Sequence, residues 1–157
     1  MKKFLFDCGT RDGVASIGFF ALRVMLGLMM LIGHGIPKIQ NFAARKDFFY
    51  VPDFFPFSLM SPAVSLSLCV GAEVVGSVLI IIGLATRPAA FVLAMTMVVA
   101  AFSFLGGAPW FFSPPTLVDS KELPLLYLIP LISIILAGAG AYSLDAAIYK
   151  EGKRRRW

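Results

Sequence analysis

The sequence predicts an all-α integral membrane protein, an antiparallel bundle of four transmembrane helices with aromatic outer loops. Three observations carry that expectation. Hydrophobic residues fill 59% of the 157 positions, and the mean hydropathy is +0.84, far above ordinary soluble domains. The apolar residues gather in four stretches, 16–36, 64–84, 89–105 and 123–142, each close to the length that spans a hydrocarbon core of about 30 Å. The basic residues sort by side once these spans alternate. Lys2, Lys3, Arg11, Arg87, Lys150, Lys153 and Arg154 to Arg156 fall on one side, and Lys38, Arg45, Lys46 and Lys121 on the other. That asymmetry places both termini in the cytoplasm of a bacterium, with the chain crossing its inner membrane.

The same distribution removes nucleic acid as the reason for a net charge of +5. The terminal KRRR run reads as a topology anchor, with contact to anionic headgroups as the alternative. The N-terminal apolar run is broken by Asp7, Thr10, Arg11 and Asp12 and has no cleavage-site pattern, so the first span is expected to be kept. Cys8 and Cys69 begin on opposite sides of the membrane and are not expected to pair. Without a CxxC motif or a Cys/His set at ligand spacing, a thioredoxin-like or zinc site is excluded. The whole chain, 1–157, reads as a single domain without repeats.

The first span, SIGFFALRVMLGLMMLIGHGIPK, places Arg23, Gly27, Met30 and His34 on one helical face and is expected to end at Gly35 and Pro37. The loop that follows mixes Phe42, Phe48, Phe49, Tyr50, Phe54, Phe55 and Phe57 with charges and prolines, as a segment lying at the interface or folding over the bundle mouth would. In the second span Cys69, Glu73, Gly76 and Ile80 share a face, and Ala72 with Gly76 permits close helix contact. The turn LATRPAA makes the second and third spans antiparallel neighbours, with Thr86 as a candidate cap and Pro88 at the first helical position. The third span offers only Thr96 and Ser103 as polar groups, and a second aromatic loop carries Trp110, Phe111 and Phe112. The fourth span starts near Glu122, holds Pro130 in its interior and runs into GAGAYSLD.

Buried charges inside these spans call for partners, since each alone costs about 2.5–3.5 kcal/mol on insertion scales. Rises counted from the cytoplasmic ends put Arg23 and Glu73 within side-chain reach of each other, so a buried Arg23–Glu73 ion pair is expected. It serves either to fix register or to shape a cavity. Thr96 and Ser133 fall near the same depth. His34, Lys38 and Glu122 are expected to gather at the outer end, and Arg87 with Asp145 to pair or cap at the inner end. Arg23, His34, Lys38, Glu73, Thr96, Glu122 and Ser133 are therefore the candidate ligand-binding residues. Cys69 reads as a small core residue.

Taken together, the chain resembles the DoxX family of small four-span membrane proteins over about residues 18–148. The resemblance is carried by Leu22 and Arg23, the H-G-x-P-K turn (His34, Gly35, Pro37, Lys38), Glu73 with Gly76, the turn Gly83 to Arg87, and the terminal Gly138, Gly140 and Ser143 to Asp145. It implies a component of redox-linked pathways, because relatives include the DoxD subunit of thiosulfate:quinone oxidoreductase and methylamine-utilisation maturation proteins. More distant four-helix relatives in eukaryotes are receptor chaperones or cargo receptors. One histidine and no cysteine pair leave no bis-histidine haem and no disulfide exchange. No self-sufficient catalytic motif is present, so an oxidoreductase role requires a bound quinone or a redox partner subunit. The leading expectation is a redox-linked membrane subunit with a polar intramembrane cavity for a quinone- or lipid-like ligand. A non-catalytic scaffold or assembly factor is the alternative, and a small-molecule transporter, which four spans would favour only as a homo-oligomer, is the third.

Overall fold

The computed structural model describes residues 12–112 and 119–148, and among them all regular structure is helical. Four long helices form the bundle: α1 (Gly13–Gln40), α2 (Pro62–Ile82), α3 (Thr86–Phe104) and α4 (Glu122–Ala137). The first three are long and apolar enough to cross a membrane, and the fourth is a shorter apolar helix. Each helix packs on the next in the chain, and α1 also meets α4, which closes the ring. Lys2, Lys3, Arg11, Cys8 and the basic tail lie outside the described residues.

Helix α1 does not end at Gly35 and Pro37. Asp12 caps its start by accepting from the Ala15 N–H at 2.8 Å, and the helix continues through a π turn, Leu31–Gly35, into Ile36–Gln40. A π turn accommodates one extra residue, so the N–H that Pro37 lacks falls where the helical ladder is already interrupted. The consequence reaches beyond length. One inserted residue turns everything after it by about 100°, so Lys38 need not share the face of Arg23.

Helix α2 begins at Ser61, whose hydroxyl accepts from Val64 N–H at 3.4 Å, with Pro62 in the first turn. It stops at Gly83, whose φ of +72° is the left-handed conformation that glycine adopts without penalty. Helix α3 starts at Thr86, but Thr86 is not its own cap; no side chain at the helix start supplies one. Unlike α1, which continues past its π turn, α3 closes on one, Ala100–Phe104. Helix α4 ends at Ala137, not at 142. Its 16 residues span only about 24 Å, and the chain then runs irregularly to a helical turn at 144–148.

The core is built from Leu26, Met30, Ile80, Leu93, Leu131 and Ile134, with small residues such as Ala90 at the closest approaches. At Gly27 a Cβ would lie 3.1 Å from the Ser77 carbonyl oxygen and run into Ile81, so α1 and α2 meet there backbone to backbone. On the outside, Met25, Ile32, Val75, Phe91, Leu126, Ile129 and Leu136 are exposed. A ring of apolar side chains facing outward suits hydrocarbon, since water would penalise it.

Candidate functional site

Two buried polar clusters lie at different levels of the bundle, one at the hairpin end and one about midway along α2. The first lies where the α2–α3 hairpin meets the irregular segment after α4. Arg23, 2% exposed, donates from Nη2 to the carbonyl of Tyr142, and Phe20 covers its guanidinium at 5.3 Å. A methyl group on Gly83 would land on that guanidinium. Asp145 accepts from the N–H groups of Ala85 and Thr86 at 2.8 and 2.9 Å, and its own N–H donates to the Gly83 carbonyl at 2.9 Å. Asp145 thus caps α3 from 60 residues away in sequence, and its carboxylate lies within electrostatic reach of Arg23. Ser16 supports the same segment by accepting from Ala141 N–H at 3.3 Å. Irregular backbone persists at membrane depth only where protein groups satisfy it, and Arg23 and Ser16 do so here.

The expected Arg23–Glu73 pair does not form. Gly27 faces Ser77 and Ile81, so Arg23, one turn nearer the hairpin, is level with Gly83, and Glu73 is about 15 Å further along α2. Glu73 pairs with Lys38 instead. The Lys38 ammonium also donates to Cys69 Sγ at 3.5 Å, and the Cys69 thiol donates to Glu73 Oε1 at 3.4 Å. Side-chain exposure is 18% for Lys38 and 3% for Glu73. The second carboxylate oxygen, Oε2, is buried without a hydrogen-bond partner.

This cluster lines a cavity of about 730 Å³ between α2, α3 and the first aromatic loop. Leu68, Cys69, Ala72 and Glu73 contribute from α2, and Phe91, Val92, Met95, Thr96 and Phe104 from α3. The roof is Phe48, Phe49, Tyr50, Phe54 and Phe57. Tyr50 straps the roof across both helices. Its carbonyl accepts from Ser65 on α2 at 2.7 Å, its hydroxyl is 2.7 Å from Ser103 on α3, and its ring meets Phe104 edge-on at 5.4 Å.

The other expected residues separate. Thr96 lines the cavity, although its hydroxyl is engaged with the Leu93 carbonyl at 2.7 Å. Ser133 bonds back to Ile129 O at 3.1 Å on α4 and is not among the lining residues. His34 meets Tyr127 edge-on at 5.4 Å and lies within electrostatic reach of Glu73 and Lys38. Glu122 does not gather with Lys38 and accepts instead from Phe112 N–H at 2.8 Å, in the second aromatic loop. Beside it, buried Lys121 donates to Gly106 O at 2.9 Å and lies over the Trp110 ring at 4.9 Å. Cys69 and Tyr50 were absent from the expected set. For Tyr50 the signal was its place between Phe49 and Pro52; for Cys69 it was the one-turn spacing from Glu73. No group able to hold a metal ion occurs among the described residues.

The DoxX family model matches residues 18–106, which include Arg23, His34, Lys38, Glu73 and Thr96. A Haemophilus influenzae protein described as uncharacterized is 40% identical over 80 residues, covering 50% of this chain and 58% of the relative. A second uncharacterized protein of that organism is 30% identical over 103 residues, 66% of each chain. A Bacillus subtilis protein named "Putative oxidoreductase CatD" is 28% identical over 138 residues, 88% of this chain and 91% of that one. The chain thus spans less than two thirds of the length of the two Haemophilus relatives. No solved structure matches.

Proposed function

The chain belongs to the DoxX family, and from that premise we propose that it is a redox-linked membrane subunit that holds a quinone- or lipid-like amphiphile in the aromatic-roofed cavity. The observation that carries the proposal is the cavity itself: about 730 Å³ of mostly apolar and aromatic lining, with Lys38, Glu73 and Arg45 as its charged residues and the first two joined in an ion pair. Binding sites for small amphiphiles have this composition, an apolar volume with a few convergent polar groups that set orientation. The rings of the roof and of Phe91 and Phe104 offer faces and edges to an aromatic head or an acyl chain. The name of the Bacillus relative supports the redox assignment.

In this reading Lys38 and Glu73 orient the head of the ligand, the roof excludes water, and Arg23 and Asp145 hold the far end of the bundle rigid. Electrons enter or leave through a partner subunit. The protein resides in a bacterial inner membrane, with the hairpin between α2 and α3 on the cytoplasmic side. Mass spectrometry of organic extracts from purified protein tests the proposal. A quinone or defined lipid enriched over detergent controls is expected, together with a rise in melting temperature when the same compound is added back. Absence of both the enrichment and the shift would remove the cavity reading and leave a scaffold or assembly role.

A further inference from the structure

We propose that the polar end of this cavity selects an amphiphile whose head is a phenolic hydroxyl over the same molecule with an acceptor-only head. The inference rests on the ligand-binding reading above and supplies the head chemistry. Its basis is the hydrogen-bond inventory of the ion pair. Glu73 Oε1 is shared by the Lys38 ammonium and the Cys69 thiol, whereas Oε2 is buried with no partner. A buried carboxylate oxygen is acceptor-only, so only a donor can complete it, and leaving it bare is costly. Lys38 has three N–H donors. Two are engaged, by Glu73 and Cys69, and one remains for an oxygen.

A single hydroxyl answers both requirements, accepting from Lys38 and donating to Glu73. A carbonyl, ether or ester oxygen would accept from Lys38 but bring its lone pairs against the carboxylate. The roof accounts for the aromatic part of the assignment, because Phe49, Tyr50, Phe54 and Phe57 line the same cavity as the pair. For a quinone-like molecule, the favoured form is the one that carries the hydroxyl.

The test uses two redox-inert probes, 4-nonylphenol and its methyl ether 4-nonylanisole, titrated into the full chain in nanodiscs, with partition into empty nanodiscs subtracted. The phenol is expected to bind about tenfold or more tightly than the ether, as one charge-assisted hydrogen bond requires. In Glu73→Gln, where the amide can present N–H groups to the ligand, the preference is expected to shrink to about threefold or less or to reverse. Equal affinities of the two probes for the unmodified chain would overturn the head assignment and leave the cavity reading standing. Binding of neither probe would overturn both. An unchanged preference in Glu73→Gln would also overturn the assignment, and if that variant fails to fold, the ratio for the unmodified chain decides alone.

Discussion

Glu73 is the most deeply buried charge of the cavity lining, and its surroundings make strong demands on its neighbours. A carboxylate that is 3% exposed between two helices is tolerable because Lys38 stands beside it, and removing either partner strands the other. Lys38→Met or Glu73→Leu alone is expected to lower stability by about 2–4 kcal/mol. The double variant should fall short of the sum by at least about 1 kcal/mol, the coupling that direct contact predicts. Thermal or denaturant unfolding of the four proteins checks this, and strict additivity would break the pairing. Gly83 is the second sensitive position. Its φ of +72° and the guanidinium of Arg23 leave no place for a methyl group, so Gly83→Ala should cost more than the roughly 1 kcal/mol of left-handed strain alone. A melting temperature within error of the parent would contradict the packing of Arg23 against this turn.

Two elements are shaped by contacts outside themselves. Helix α3 has no cap at its own start, and Asp145 provides one from beyond α4. Asp145→Ala is therefore expected to cost about 1–2 kcal/mol, with Asp145→Asn recovering part of it, because an amide oxygen can still accept. The same measurement on Leu144→Ala, one residue away and 47% exposed, serves as the neutral comparison. The aromatic loop is the other case. Tyr50 ties it to Ser65 and Ser103, so Tyr50→Phe removes one bond and should loosen the roof. Alkylation of Cys69 by a membrane-permeant maleimide, followed on its own peptide by mass spectrometry, should speed up about five-fold, the equivalent of one net hydrogen bond of roughly 1 kcal/mol. An unaltered rate would mean that the roof does not gate the cavity.

At the scale of the whole molecule, the two polar clusters divide the work. The hairpin end is closed, with Arg23, Gly83, Tyr142 and Asp145 linking α1, the α2–α3 turn and the segment after α4. The opposite end is hollow, and its cavity opens between α2 and α3 under a strap. A bundle fixed at one end and hollow at the other can admit a membrane-dissolved ligand without parting its core. The proposed orientation makes a further prediction. A fluorescent or protease-sensitive tag on the C-terminus should report from the cytoplasm, and exposure on the opposite face would reverse the orientation while leaving the cavity intact.

The sequence by itself determined that this chain is a helical membrane bundle, because hydropathy and helix length depend on local composition and the bilayer imposes the rest. It also marked Arg23 and Glu73 as groups that require partners, since charge inside a span is costly wherever it lies. The partners themselves were decided only by the tertiary structure. Counting rises along separate helices says nothing about how far one slides past another, and the contact of Gly27 with Ser77 and Ile81 sets Arg23 against Gly83 and away from Glu73. Nor does composition reveal that α1 continues past Pro37 by way of a π turn just before it and carries Lys38 to Glu73. The end of α4 at Ala137 likewise depends on Ser16 and Arg23, which satisfy the irregular backbone that follows from far away in the chain.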